Sequence, residues 1–235
     1  DAVIKLVAGD AAQAPAPPAG QRWVFLCFGQ SNMEGFPGIE EQDRAPVDAR
    51  FEMLAAVDFP QQNRSKGRWY PAVPPLSRGN AGLGPADYFG RSMAASLPKE
   101  VRVGIVNVSI GGCKIELFQK DSFQTYAESA PHWMKGAIEA YGGNPYQRLV
   151  DMAKVAQQDG VIKGILLHQG ESNMNDGEWP AKVKGIYDNL LKDLNLKGED
   201  VPLLAGELVG AGENGACAGM NRIIATLPET IPTAH

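Results

Sequence analysis

The chain has 235 residues, with 22 Lys and Arg against 27 Asp and Glu, and a formal net charge of -5. Its composition, 44% hydrophobic and 21% charged, is typical of one globular domain with a sizeable core. The acidic balance argues against nucleic-acid binding, which needs a basic surface. No apolar run reaches the roughly 20 residues that span a bilayer. We therefore predict a domain that acts on a neutral or weakly charged molecule.

The beginning of the chain is interpreted as an extension or linker over residues 1–21, because residues 9–20 are rich in Ala and Pro. The chain starts at Asp1 with no apolar signal segment, which fits a mature exported protein or an excised segment. Three cysteines do not make an even disulfide framework. Cys27 is interpreted as apolar filler in a strand, and a bridge between Cys113 and Cys217 stays open.

Predicted strands and predicted helices alternate along the chain. Apolar runs with the length of buried strands occupy residues 22–28, 101–108, 161–168 and 202–208. Amphipathic segments with helical period occupy residues 85–97, 144–157 and 178–194, with a weaker one at 216–227. This alternation predicts an α/β fold, a three-layer α/β/α sandwich with a central parallel sheet.

A long irregular region, about residues 35–84, separates the first strand from the first helix. Such a region is usually functional or an ordered excursion over one face. It carries side chains suited to substrate contact: Arg64, Trp69, Tyr70 and Arg78. A surface loop packed by its own aromatic rings is the alternative for each of them.

Polar clusters follow three of the predicted strands. They read Gly-Gln-Ser-Asn-Met at 29–33, Ser-Ile-Gly-Gly-Cys at 109–113 and His-Gln-Gly-Glu-Ser-Asn at 168–173. The carboxyl ends of parallel strands lie along one sheet edge, where ligands bind. We therefore expect the three clusters to converge into one site.

This set of residues matches the needs of a serine hydrolase. Ser31 is the candidate nucleophile, just past the end of a strand. Gly111 and Gly112 let a backbone N–H come close to the reacting carbonyl, and the Gln169 amide is a further oxyanion donor. Glu171 is placed to accept an imidazole N–H.

The general base is harder to assign. His168 lies in the third cluster, but as the last strand residue its ring can point into the sheet rather than toward Ser31. His132 is interpreted as part of a surface or pocket rim, and His235 is the terminal residue. No histidine is in a convincing base position. No Cys/His cluster has ligand spacing, so neither a metal nor an organic cofactor is predicted.

The three polar clusters resemble the signature blocks of the SGNH hydrolase superfamily. They are most similar to its sialate O-acetylesterase and acetylxylan esterase branch, carbohydrate esterase family six. The resemblance covers the chain from about residue 23 onward and implies a flavodoxin-like fold. It makes Ser31 the nucleophile and Glu171 the triad acid. It also implies an oxyanion hole built from the Ser31 amide, Gly111 or Gly112, and Gln169.

Further substrate contacts are predicted for Gln30, Asn32, Arg64 and Asn173. The resemblance implies a catalytic histidine in an Asp-x-x-His block after the last strand. His235 lacks that Asp, because Pro232 stands three residues before it. We therefore expect the esterase domain, residues 22–235, to continue beyond His235 with its final strand and helix. The alternative is an incomplete, inactive form.

The resulting hypothesis is a secreted or periplasmic carbohydrate O-acetylesterase. It would act on acetylated polysaccharide such as acetylxylan, or on acetylated sialic acid, through a serine acyl-enzyme. We predict neither a nucleic-acid partner nor a membrane span. Whether a longer polypeptide carries further modules is left open. Two alternatives remain: a carbohydrate-binding protein with this fold and no turnover, and a lipase or thioesterase of the same superfamily.

Overall fold

The computed structural model describes residues 21–235, so the predicted extension lies almost wholly outside them. Its centre is a six-stranded sheet in the order β3-β2-β4-β1-β5-β6. The strands are β1 Arg22–Gly29, β2 Phe51–Leu54, β3 Trp69–Pro71, β4 Arg102–Ser109, β5 Gly160–His168 and β6 Leu203–Ala205. Every pairing is parallel except that of β3 with β2. The predicted α/β fold is confirmed, with β6 shorter than expected.

Helices connect the strands. They are α1 Ser31–Glu34, α2 Pro85–Ser96, α3 Phe123–Ser129, α4 His132–Ala140, α5 Pro145–Ala156, α6 Trp179–Asp193, α7 Asn221–Ile224 and α8 Leu227–Thr230. The three stronger predicted helices are confirmed as α2, α5 and α6. The predicted helix at 216–227 is wrong: Ala218–Met220 is a 3-10 turn, and two short helices follow. Pro228 lies in the first turn of α8, where its missing N–H matters least.

Helices α3 and α4 were not predicted. α3 buries no residue and so gives no apolar stripe. α4 buries Met134, Ala137 and Ile138 at helical spacing. It begins directly after Pro131, so it brings Trp133 to the surface within its first turn.

The core lies on both faces of the sheet. All eight residues of β1 are buried. Phe25 packs against Phe89 of α2, with ring centroids 4.9 Å apart in an edge arrangement. Phe28 points to the opposite face and packs against Phe118 at 5.2 Å. The sheet is therefore covered on both sides, which gives the predicted three layers.

The irregular region, residues 35–84, is an ordered excursion that contributes β2 and β3. The Arg64 guanidinium donates to the carbonyl oxygens of Val73 at 2.7 Å and Pro75 at 2.8 Å. The Trp69 ring lies 3.8 Å from the Arg22 guanidinium carbon. These contacts hold the region together, and the contact of Arg64 with substrate stays a prediction.

Near the C-terminus the backbone pairs with β6. Leu203 N–H donates to Thr233 at 3.1 Å, and Ala205 N–H donates to His235 at 2.9 Å. The Leu203–Ala234 bridge is parallel. These residues therefore run alongside β6 where the sequence predicted a final strand to begin. That the polypeptide continues stays a prediction.

All three cysteines are free thiols, so the structure contains no Cys113–Cys217 bridge. Burial raises the pKa of the Cys27 and Cys113 thiols, which keeps both neutral. Within residues 21–235, no helix has the length and apolarity to cross a bilayer. The same residues contain no group of His, Cys, Asp and Glu that could hold a metal ion.

Candidate active site

The sheet register brings the three polar clusters together. Gly29, the last residue of β1, pairs with Ser109 of β4 on one side and with His168 of β5 on the other. The chain continues these contacts past the strands: Gln30 N–H donates to His168 at 3.1 Å, and Ile110 N–H donates to Gly29 at 3.1 Å. The predicted convergence at the carboxyl ends of β1, β4 and β5 is confirmed.

Gly29 allows β1 to turn directly into α1. A Cβ atom on this residue would lie 2.1 Å from the His168 carbonyl oxygen, and φ is +155°. Any side chain would collide with backbone that cannot move without breaking β5. The turn therefore places Ser31 at the first position of α1, half-buried and next to the sheet edge.

Two residues that line the same cleft, Ser31 and Gly112, have backbone N–H groups without an acceptor among the described residues. Gly112 has φ +71°, a conformation that glycine adopts without strain. Both residues line one cleft, so both amides are available to a carbonyl oxygen bound there.

The Gly111 amide has a different role. It donates to Oε2 of Glu34, and Oε1 of Glu34 pairs with the Arg78 guanidinium. Gly111 therefore has no N–H for a substrate, which corrects its predicted place in the oxyanion hole. The Glu34 carboxylate, one helical turn after Ser31, instead holds the loop that presents Gly112. Sequence reasoning missed Glu34, although its spacing of three residues from Ser31 was visible.

The cleft has a volume of about 490 Å³. It is lined by Ser31, Glu34, Gly35, Phe36, Asn80, Ala81, Gly82, Gly111, Gly112 and Trp133. Two aromatic side chains are unusually exposed at its rim, Phe36 at 78% and Trp133 at 66%. The Trp133 ring lies so close to Gly112 that a Cβ there would meet its Cη2 atom at 2.6 Å. The cleft is thus lined by a serine, by residues with free backbone amides and by two exposed aromatic side chains.

Gln169 lies beneath the cleft rather than in it. Its side chain is 1% exposed, and Nε2 donates to Gln30 at 3.0 Å, Asn173 at 2.7 Å and the Cys113 carbonyl at 3.2 Å. Its Oε1 accepts from the Trp179 indole at 2.6 Å. No amide hydrogen is left for an oxyanion. This corrects the predicted role of Gln169, because buried amides satisfy one another first.

Gln30 and Asn173 belong to the same buried network. Oε1 of Gln30 also accepts from the Ser172 N–H at 3.1 Å. Nδ2 of Asn173 donates to Glu116 at 3.0 Å and to Asp176 at 3.1 Å. Both side chains are almost fully buried, so the prediction that they contact substrate is corrected. Gln30 ties the loop after β1 to the loop after β5, and Asn173 ties the loop after β5 to the segment after β4.

An ion-paired group supports this network from below. Lys182 contacts both Glu116 and Asp176 at 2.7 Å. Desolvation opposes ionisation, but hydrogen bonds from Asn173 and Lys182 prevail and hold the pKa of both carboxyls below their usual values. Both acids therefore stabilise the fold above the unfolded-state pKa, and this contribution is lost as pH falls through the lowered values.

One carboxylate oxygen of Glu171 accepts a hydrogen bond, and the other has no hydrogen-bond partner among the described residues. Asn32 Nδ2 donates to Oε1 at 2.7 Å, so Asn32 holds Glu171 beside the residue that follows Ser31. Oε2 is buried and has no hydrogen-bond partner among the described residues. A buried carboxylate oxygen without a partner is uncommon in native proteins and calls for an explanation.

The chain is similar to known carbohydrate esterases. Residues 21–231 match the family model described as carbohydrate esterase, sialic acid-specific acetylesterase. The chain belongs to this carbohydrate esterase family. The resemblance stated from the three sequence motifs is thereby confirmed.

Three solved structures share the fold of this family member. A protein from Arabidopsis thaliana has a TM-score of 0.63 and 22% identity, with 89% of this chain and 82% of that one covered. XAC1771, a carbohydrate acetylesterase from Xanthomonas citri, has a TM-score of 0.58 and 21% identity, covering 90% and 48%. NanS has a TM-score of 0.57 and 16% identity, covering 90% and 73%. The chain thus spans about half of the Xanthomonas protein.

No histidine lines the cleft of this esterase-family chain within residues 21–235. Nε2 of His168 lies 3.1 Å from the Glu207 carbonyl, and its ring packs against Gly206 beyond β6. Because a carbonyl only accepts, Nε2 carries the proton. His132 is exposed at the start of α4, and the His235 backbone pairs with Leu203. The sequence-based doubt about His168 as base therefore stands.

Replacing Gln169 with alanine tests whether its side chain stabilises the fold or binds the oxyanion. We expect the free energy of unfolding to fall by about 2–4 kcal/mol, because the Trp179 indole and the Gln30 and Asn173 amides lose buried partners. Urea unfolding measures this change, with exposed Gln124→Ala as the control. A loss of kcat at unchanged stability would instead return Gln169 to the oxyanion hole.

Proposed function

We propose that this protein is a carbohydrate O-acetylesterase that works through a serine acyl-enzyme. The observation that carries the proposal is that one cleft is lined by Ser31 and by Gly112, and that the amides of both residues have no protein acceptor among the described residues. Ser31 Oγ attacks the acetyl carbonyl and loses its proton to a base, and the sugar hydroxyl leaves with that proton. Water then hydrolyses the acetyl-serine ester, which releases acetate and restores Ser31.

The two free amides are suited to stabilise the transition state. Negative charge develops on the carbonyl oxygen during attack, and donors fixed in advance bind it without reorganisation. The Glu34 carboxylate keeps the Gly111–Gly112 loop in place by holding the Gly111 amide. Glu34 and Arg78 therefore act as positioning residues in this proposal.

Glu171 is proposed as the carboxylate that orients the general base. Its free Oε2 is suited to accept an imidazole N–H, and Asn32 fixes the other oxygen. A buried carboxylate in this place selects the imidazole tautomer and stabilises the imidazolium that forms during attack. We propose a histidine as this base, and no histidine of residues 21–235 lines the cleft.

The cleft lining favours a sugar ester over a lipid ester. Exposed Phe36 and Trp133 offer flat surfaces to the apolar face of a pyranose ring, whereas a long acyl chain needs a continuous apolar groove. The lining includes Glu34, and the Arg78 charge beside it is already paired. With no unpaired cation among the residues lining the cleft, we propose a neutral acetylated sugar rather than a sialic acid.

The proposed substrate bears on the cellular location of the protein and on an alternative function. We propose secretion or periplasmic export, because polysaccharides lie outside the cell. A carbohydrate-binding protein without turnover is the second candidate, since the exposed aromatic rim would serve it equally well. Release of acetate by the full-length protein distinguishes the two.

Replacing Trp133 with alanine tests the sugar-stacking role. We expect kcat/KM for an acetylated sugar to fall roughly tenfold, mainly through KM, because an aromatic contact worth about 1.4 kcal/mol is lost. Hydrolysis of a small acyclic acetate should change less than about twofold. Initial rates of acetate release by the full-length protein give both values.

The matched control is Val209→Ala, an exposed apolar residue outside the cleft, which should change neither rate. Equal losses on the sugar ester and the acyclic acetate would contradict the stacking role. Faster hydrolysis of an octanoate ester than of the sugar acetate would favour a lipase instead.

A further inference from the structure

A second hollow lies beside the cleft, and apart from Arg78 and Asn80 its lining residues have no role in the site described above. Its volume is about 470 Å³, within the range of roughly 300–1,000 Å³ that small-molecule sites occupy. Its walls come from the loop after β2, from residues 78–80 and from the end of α4. These segments are distant in sequence and meet only in the fold.

The hollow adjoins the cleft. Asn80 lines both, and its side chain is exposed. Arg78 lines the hollow and pairs with Glu34, which lines the cleft. This ion pair therefore joins the lining of the hollow to the lining of the cleft. A molecule with its ester group at Ser31 can extend across Asn80 into the hollow.

The chemistry of the hollow fits an uncharged, hydroxyl-rich ring. Gln61 and Asn80 present exposed amides, which both donate and accept, as sugar hydroxyls do. The lining also includes the apolar side chains of Val57, Pro60 and Ala140. The Arg78 charge is neutralised by Glu34, and Asp58 adds an exposed carboxylate. A carboxylate-bearing sugar would meet repulsion there without an unpaired cation to offset it.

We propose that this hollow binds the neutral sugar residue next to the acetylated one in an oligosaccharide chain. The inference rests on the proposed function, because it takes Ser31 as the point where the ester lies. It makes the substrate an oligosaccharide or polysaccharide of neutral sugars. Asn80 contacts both residues at the junction, and Gln61 contacts the neighbour alone.

The test compares substrates of different length in the full-length protein. A neutral monosaccharide and a trisaccharide of the same sugar carry the acetyl group at the same hydroxyl, and a small acyclic acetate reports the basal rate. We expect kcat/KM to favour the trisaccharide by roughly tenfold, the effect of one or two added hydrogen bonds. Ala140→Trp, which fills the hollow, should abolish this preference and leave the acyclic acetate rate unchanged.

The matched control is Ala181→Trp, an equally exposed alanine on α6 outside the hollow, which should keep the preference. Gln61→Ala is the gentler variant and should reduce the preference severalfold. No length preference in the wild type, or an unchanged one in Ala140→Trp, overturns the inference.

Calorimetry with the unacetylated trisaccharide separates this inference from the proposed function. Binding that Ala140→Trp abolishes and Ala181→Trp retains supports the hollow even if no ester is hydrolysed. Ester hydrolysis without trisaccharide binding overturns the hollow alone.

Discussion

Replacing Ser31 with alanine in the full-length protein is expected to lower kcat for a carbohydrate acetate by about a million-fold. Without the hydroxyl no acyl-enzyme forms, and only binding and the two free amides remain. The fold should be unaffected, since Ser31 is only half-buried and stands at the first position of α1. Release of acetate measures the rate, and thermal unfolding measures the stability.

Ser96→Ala is the matched control, because Ser96 is exposed at the end of α2, away from the cleft. It should leave both the rate and the melting temperature unchanged. If Ser31→Ala retained even a tenth of the wild-type activity, Ser31 could not be the nucleophile.

Replacing Glu171 with glutamine is expected to lower kcat by up to about 10⁴-fold, with a small change in KM. The substitution preserves shape and still offers an oxygen to Asn32, but it removes the charge that stabilises an imidazolium. The loss should persist across neutral pH, because the amide does not titrate. Rates between pH 5 and 9 on the full-length protein provide the measurement.

Glu178→Gln serves as the control, since Glu178 is an exposed carboxylate before α6. If Glu171 only holds its loop, the glutamine variant should lose stability and keep its kcat. Equal activity of wild type and Glu171→Gln would assign the orienting role to another acid.

The hydrophobic pattern predicted four of the six strands and the convergence of the three polar clusters. Strands β1, β4 and β5 are long apolar runs, and parallel pairing alone brings their carboxyl ends together. Strands β2 and β3 have only four and three residues, so no period was visible in them. Short strands such as these form because a neighbouring strand supplies the hydrogen bonds.

The direction of the polar side chains could not be predicted. Gln30, Gln169 and Asn173 lie in the same motifs as Ser31 and Glu171, yet their amides bond to one another inside the fold. Composition does not say whether an amide faces a cleft or a neighbour.

Contacts distant in sequence were equally invisible. Glu34 reaches Arg78, 44 residues away, and Gly111, 77 residues away. Only the folded sheet edge brings these groups to Ser31, so the residues that position the free amides emerged from the structure.

Labelling with a fluorophosphonate tests the central claim, that Ser31 is an activated nucleophile, most directly. The full-length protein is incubated with the probe, digested and examined by mass spectrometry. We expect one adduct per chain, on Ser31, formed in parallel with the loss of esterase activity and absent from Ser31→Ala. An active enzyme that acquires no adduct, or acquires it on another residue, would contradict the account.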